Sequence, residues 1–287
     1  MSNQANSCLP YPGGHIRYAF KMYVDHDASI SCKVPHSKVE TLVFEKARPA
    51  DSFDPGWLMT ITLGTVYSIA EVQKIGNMIK DDIFDMLSLI LNTRISEIEL
   101  DGFGLVPRPG EGAIAHLLMP FGKCNATGKA GGFKLNSEKI QDVQDAFLKM
   151  SKLQDKPSIN LYRYAICSDE PVVQFLILYL ILEEMYKNQS AVDKFIMENA
   201  PQTLQTNSPF VNSDGSPRLE TVYTRLRNEL VHKRENVYPT ATRAEIQDHL
   251  DDFRNIVHSM ILRTLLPMTN RTKHHKAGNV TYKPRPA

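Results

Sequence analysis

The feature that most constrains the fold is a change in the spacing of apolar residues near residue 136. Before this point apolar side chains alternate with polar ones, as in Tyr18, Phe20, Met22 and Val24, which is the period of a half-buried strand. Beyond it apolar residues recur every three or four positions, which is the period of a helix. The sequence therefore predicts an α+β chain with a β-rich domain at 15–135, whose role it does not reveal, and a helical bundle at 136–268.

Alternation also marks the other strands that we predict before residue 136. Ser68 and Glu71 form a capping box, and apolar residues at helical spacing continue from it to about Thr93, which predicts one long helix packed on the sheet. The predicted strands after the first are Ser29–Val34, Val39–Lys46, 57–63, Ile95–Val106 and Ala113–Phe121.

Capping and stop signals divide the second half into helices. The apolar run Val172–Leu182 follows a strong helix start, and its 11 residues are too few for the roughly 20 needed to cross a bilayer. We expect a buried helix there, a polar loop at Pro201–Arg218, and a second capping box at Thr242 and Glu245. The predicted helices begin near 137, 158, 171, 190, 219 and 243, and the last one ends at Pro267.

Charge and cysteine usage predict a cytoplasmic protein with no membrane span. The net charge of +1 gives no global attraction for nucleic acid, but residues 269–287 carry five Lys/Arg and no acidic residue. We expect this basic tail and residues 1–14 to be disordered. The four cysteines (Cys8, Cys32, Cys124 and Cys167) form no C-x-x-C pair, and no signal peptide precedes them, so free thiols in a reducing compartment are expected.

The most complete chemical set lies in the predicted helix Leu219–Arg234. Arg227 can stabilise phosphate charge and His232 can move a proton near neutral pH, while Asn228 shares a helix face with His232. The number of arginine–histidine pairs at this spacing is close to the number expected by chance. Arg225–His232 and Arg243–His249 have the spacing as well. A histidine that simply meets the carbonyls of a helix end is the competing interpretation.

Other candidate sites are weaker. The loop Gly122–Gly132 fails the P-loop spacing, and no G-x-S-x-G supports a serine hydrolase. Glu183 or Glu184 could pair with Arg227. Incomplete metal-ligand sets occur at Asp25-His26-Asp27, at Cys32 and His36, and at Asp81, Asp82 and Asp85, so we predict no metal and no cofactor.

The string RNELVH lies in a predicted helix of the predicted helical bundle. It resembles the R-x4-6-H motif of HEPN domains. The longer strings ETVYTRLRNELVH and DEPVVQFLILYLILEEMY resemble the MauJ-like (methylamine utilisation) HEPN family over about Pro157–Leu265. The resemblance implies a four- to five-helix bundle that forms a homodimer and brings two motifs together.

Many HEPN proteins are metal-independent endoribonucleases, often toxins or antiviral effectors, and others only bind nucleotides or RNA or act as scaffolds. Carried over, the resemblance makes Arg227 and His232 catalytic and Asn228 supportive. RNA and a second copy are then the expected partners, and an antitoxin or a defence partner protein is a further one.

Overall fold

The structure is a computed structural model, and it describes residues 9–22, 24–25, 29–47, 56–111, 117–118, 133–150, 156–211, 215–231 and 239–265. Within these ranges a sheet and one long helix come first and helices dominate afterwards, which confirms the predicted α+β class. The strands are β1 (Gly13–Met22), β2 (Val24–Asp25), β3 (Ile30–Cys32), β4 (Val39–Lys46), β5 (Gly56–Leu63), β6 (Ile95–Val106), β7 (Leu117–Leu118), β8 (Phe133–Lys134), β9 (Gln205–Val211) and β10 (Pro217–Thr221). The helices are α1 (Ile69–Leu91), α2 (Ser137–Lys149), α3 (Lys156–Cys167), α4 (Pro171–Tyr186), α5 (Gln189–Asn199), α6 (Val222–Val231) and α7 (Pro239–Leu265).

The main sheet is antiparallel and has the strand order β3-β4-β5-β1-β6-β7. Alternating residues of the central strands, among them Phe20, Trp57 and Ile61, are fully buried on the face that α1 covers. The other face carries polar residues such as Arg17 and Thr60, which are register partners on β1 and β5. This period-two burial is what the sequence alternation predicted.

Helix α1 begins and lies where its sequence signals placed it. Ser68 accepts a hydrogen bond from the Glu71 amide (3.2 Å), and Glu71 accepts one from the Tyr67 amide (2.7 Å), which confirms the predicted capping box. Gly76 lets α1 approach β1 closely, because a Cβ at this position would lie 2.7 Å from two methyl carbons of Ile16.

The sheet and the later helices share one hydrophobic core rather than two. Helix α3 packs on α1, and α4 packs on α3 and α7, so α1 is the layer between the sheet and the bundle. At this seam Asp85 on α1, which is 6% exposed, accepts hydrogen bonds from Asn160 (2.9 Å) and Arg163 on α3. The change of period near residue 136 therefore separates two kinds of secondary structure but not two hydrophobic cores.

Two predicted boundaries require correction. The N-terminal segment 1–14 is ordered from at least residue 9, since Tyr11 bridges Val66 and β1 already begins at Gly13. The predicted loop Pro201–Arg218 contains β9 and most of β10, which pair antiparallel, so the region 136–268 is not all-helical. The basic tail 269–287 lies outside the described residues.

Candidate functional site

Helix α6 carries Arg227 and Asn228, and it begins three residues later than predicted. It begins at Val222, because Leu219 and its neighbours up to Thr221 belong to β10. The Thr221 hydroxyl accepts a hydrogen bond from the Thr224 amide (3.3 Å), as a helix N-cap does. The helix ends at Val231, one residue before His232, and His232 itself lies outside the described residues.

Arg227 is held in place by charged and aromatic neighbours. Its Nη2 lies 3.1 Å from Oε1 of Glu183 on α4, so the ion pair anticipated from the sequence is present. Its Nη1 donates to Oδ1 of Asn228 (3.2 Å), and the guanidinium lies 5.9 Å from the centre of the Tyr179 ring. The Arg227 side chain is 19% exposed, so the arginine is a partly buried, pre-oriented cation rather than a mobile surface charge.

Asn228 is buried, at 3% exposed, and uses both ends of its amide. Its Oδ1 accepts from Gln189 Nε2 (2.9 Å) as well as from Arg227, and its Nδ2 donates to Glu220 Oε2 (3.4 Å). Asn228 therefore ties α6 to the start of α5 and to β10. These contacts hold the Asn228 side chain beside Arg227. The predicted role of Asn228 in orienting His232 or a phosphate stays a prediction, because His232 lies outside the described residues.

The beginning of α6 rests on a buried carboxylate. Asp193 on α5 is 2% exposed, and its Oδ1 accepts hydrogen bonds from the Thr221 amide (2.9 Å), the Thr221 hydroxyl (2.8 Å) and the Thr224 hydroxyl (2.6 Å). Thr224 also shares a hydrogen bond with Tyr179 (2.8 Å), the residue under the Arg227 guanidinium. A continuous polar network therefore fixes the helix that carries the motif.

The structure does not bring the competing arginine–histidine pair together. Arg243 pairs with Glu170 at the start of α4, whereas the His249 ring packs edge-on against Tyr223, with ring centres 6.2 Å apart. Arg225 is bound to Glu229 (2.7 Å) and to Glu245 on α7. Of the arginines in these pairs, Arg227 is the one that contacts both Asn228 and α4.

The network partners Gln189, Asp193 and Glu220 were not anticipated from the sequence. They lie 39, 31 and 8 residues from their contacts on α6, and no local spacing links them to the motif. One signal could have singled out Asp193. It is an acidic residue on the apolar stripe of α5, next to the buried Val192 and three residues before the buried Ile196. Such a carboxylate needs hydrogen-bond donors.

The weaker candidates gain no support. Among the described residues, no three His, Cys, Asp or Glu side chains are grouped so as to hold a metal ion. Burial raises the pKa of the Cys32 thiol to about 12, and the His36 ring accepts a hydrogen bond from the Lys38 amide (3.2 Å). His26, Asp27, the side chain of Asp25 and the loop Gly122–Gly132 lie outside the described residues.

No protein-family model, no curated protein and no solved structure matches this chain. In the described part of the chain, none of the helices has both the length and the continuous apolar character that a bilayer crossing requires.

Proposed function

We propose that this protein is a metal-independent endoribonuclease of the HEPN type, in which Arg227 and His232 act on RNA. The observation that supports the proposal is the placement of Arg227 in the last turn of α6, oriented by Glu183, Asn228 and the Tyr179 ring. An arginine fixed before substrate binds loses little conformational freedom on contact with a phosphate. The motif histidine, His232, is five residues further along the sequence.

The ribose 2′-OH would attack the adjacent phosphorus while His232 serves as general base or general acid. The His232 of a second copy would take the other role, so the active species would be a homodimer. Arg227 would stabilise the charge that develops on the phosphate oxygens. The products would carry a 2′,3′-cyclic phosphate and a 5′-OH. Such an activity suits a cytoplasmic toxin or an antiviral effector controlled by a partner protein.

Incubation of the purified protein with RNA in excess EDTA tests the proposal. Wild type should yield cyclic-phosphate ends, and His232→Ala should lower the rate by about a hundredfold or more, because general acid–base catalysis contributes that much. Arg227→Ala should lower it similarly. The matched controls are Arg225→Ala and His249→Ala, which remove the same residue types from the competing pairs. Cleavage that persists in His232→Ala, or that requires added metal, would contradict the mechanism.

A second candidate is a non-catalytic RNA- or nucleotide-binding protein or a dimeric scaffold. The ion pair between Arg227 and Glu183 favours it, since the guanidinium already has a counter-charge. On this alternative RNA binds without being cut, and Glu183→Gln tightens binding by releasing Arg227 for phosphate. A nuclease assay in EDTA run beside a filter-binding assay of wild type, Glu183→Gln and His232→Ala separates the two functions. A binding protein or scaffold retains RNA without cutting it, whereas a nuclease cuts RNA and in His232→Ala loses cleavage but not binding.

A further inference from the structure

The hairpin β9–β10 carries a buried acidic residue that contacts the candidate site. Glu220, the second-last residue of β10, is 1% exposed and pairs in register with Thr206 of β9. The next residue, Thr221, is bound to the buried carboxylate of Asp193 through its amide (2.9 Å) and its hydroxyl (2.8 Å). Strand pairing and this anchor therefore fix the backbone at Glu220, directly before α6 begins.

Glu220 contacts one end of the Asn228 amide, and Arg227 contacts the other end. Asn228 Nδ2 donates to Glu220 Oε2 (3.4 Å), whereas Asn228 Oδ1 accepts from Arg227 Nη1 (3.2 Å) and from Gln189 Nε2 (2.9 Å). Asn228 is 3% exposed, so these contacts are made away from solvent. The direction of this one buried amide determines whether Arg227 meets an acceptor or a donor.

A carboxylate can fix the direction of the amide because it does not exchange roles. The side-chain amides of Asn228 and Gln189 each have an acceptor at one end and donors at the other, so the two could turn over together and keep their mutual hydrogen bond. A carboxylate only accepts, so Glu220 retains Asn228 Nδ2 and turns Oδ1 towards Arg227. In the reversed direction two donors would meet at Arg227 and two acceptors at Glu220.

We propose that Glu220 is a positioning residue for Arg227 and acts through Asn228. Asn228 Oδ1 then holds Nη1 of Arg227, while Glu183 Oε1, at 3.1 Å, holds Nη2. A planar guanidinium restrained at both Nη atoms keeps one orientation, and a misplacement of about 1 Å can cost about a hundredfold in rate. The effect on catalysis rests on the proposed function, whereas the ordering of Arg227 does not.

Exchange of the carboxylate and the amide between positions 220 and 228 tests this role. Glu220→Gln introduces a third amide that can turn over, and it should lower kcat for RNA cleavage about three- to tenfold, the scale of a charged hydrogen bond made neutral. KM should change by less than about twofold, because the oriented charge acts in the transition state. Asn228→Asp places two carboxylates against each other and should cost at least as much.

The double variant Glu220→Gln/Asn228→Asp should recover most of the lost kcat. Its new amide donates to the new carboxylate, whose other oxygen accepts from Arg227, so the direction of the contact is defined again. Substitutions of residues in contact are not additive, and a merely structural role would not produce this rescue.

An NMR measurement follows Arg227 independently of cleavage. The Nε–Hε resonance of Arg227, identified by its loss in Arg227→Lys, should show the heteronuclear NOE of a rigid group in wild type and in the double variant. Both single variants should lower this NOE. Glu229→Gln is the matched control, because Glu229 is a carboxylate of α6 whose side chain is 10% exposed and is bound to Arg225 instead. It should leave the NOE and kcat unchanged.

Two results would contradict the role of Glu220. One is an unchanged NOE of Arg227 in Glu220→Gln, and the other is a double variant that does no better than Asn228→Asp. All rates refer to folded protein, which thermal unfolding measures, so a loss of kcat that follows only the loss of folded protein also contradicts positioning. If wild type cuts no RNA, the proposed function fails, and the NOE alone supports or overturns the positioning role.

Discussion

At the scale of single residues, Asp193 is the side chain on which the position of α6 depends most. One of its carboxylate oxygens accepts three hydrogen bonds within a site that is 2% exposed. Asp193→Ala should lower the free energy of unfolding by about 3–5 kcal/mol, because a buried amide and two hydroxyls lose a charged acceptor. Urea denaturation measures the change. Asp248→Ala, an exposed aspartate, should change stability by less than about 0.5 kcal/mol.

A second residue, His258, makes stability depend on pH. Its Nε2 lies 2.7 Å from the Leu89 carbonyl oxygen, and burial, with the charges of Lys139 and Arg254, lowers its pKa to about 4. The unfolded chain binds the proton near pH 6.5, so unfolding takes up a proton between these values. The stability from neutral His258 is therefore complete above about pH 6.5 and is lost as the pH falls towards 4.

Comparison of wild type with His258→Gln isolates this contribution from the carboxylates that titrate in the same range. The stability difference between the two proteins should fall by roughly 2–3 kcal/mol between pH 7 and pH 4. Urea denaturation at a series of pH values measures it. A difference that stays constant across this range would show that His258 does not titrate on unfolding.

At the scale of elements, the contact of α1 with β1 depends on the absence of a side chain at Gly76. Alanine in a helix interior normally gains about 1 kcal/mol over glycine. Here the added methyl group would meet two methyl carbons of Ile16 at 2.7 Å and the Tyr18 hydroxyl oxygen at 3.1 Å. Because overpacking costs about 1–3 kcal/mol, Gly76→Ala should be destabilising on balance.

Chemical denaturation of Gly76→Ala and of the double variant Gly76→Ala/Ile16→Val checks the steric explanation. The double variant should recover part of the loss, since removing a methylene from residue 16 makes room for the new methyl group. Met78→Ala, at a position 59% exposed on the same helix, serves as the control and should change little. Stabilisation by Gly76→Ala would mean that the helix and the strand do not approach so closely.

Elements with strong local signals were predicted well from the sequence. The strands at Val39–Lys46 and Ile95–Val106 and the start of α1 lie where alternation and the capping box placed them. The hairpin β9–β10 was missed because its polar sequence indicates a loop, and its strands are defined by pairing with each other and by packing on α5 and α6. Thr242 was wrongly predicted to cap a helix; α7 begins at Pro239, and the Thr242 hydroxyl donates to Glu229 (3.0 Å).

The candidate site divides in the same way. Arg227 and Asn228 are neighbours in the sequence. Predicting a helix with a buried apolar stripe over this segment was therefore enough to place the two side chains next to each other. The sequence predicted that Glu183 or Glu184, at the end of the buried helix, pairs with Arg227, and the structure shows that Glu183 does. Gln189 and Glu220 could not be found, since side-chain hydrogen bonds between elements leave no periodic signal in one sequence.

At the scale of the whole molecule, the polar seam between α1 and α3 lies within one shared core. Asp85 is 6% exposed, and burial raises its pKa, although the Arg163 side chain and Asn160 partly offset this. Arg163 also lies 3.8 Å from Asp81, and Tyr162 beside it donates to Asn92 (2.5 Å). Buried ion pairs contribute little net stability, but removing one partner leaves an uncompensated charge. The seam therefore couples the sheet to the bundle.

Unfolding should accordingly be one cooperative transition. One probe can follow the sheet and another the helical bundle. The single tryptophan, Trp57, is fully buried in the sheet, whereas helical circular dichroism reports mainly on the bundle. Both signals should give the same urea midpoint and the same slope. Arg163→Ala should lower stability by about 3–5 kcal/mol and move both midpoints together. Arg94→Ala, which breaks a more exposed ion pair with Asp169, should cost less than about 1 kcal/mol. If Arg163→Ala separated the two midpoints, the sheet and the bundle would be independent units joined by α1, and the continuous core would not govern folding.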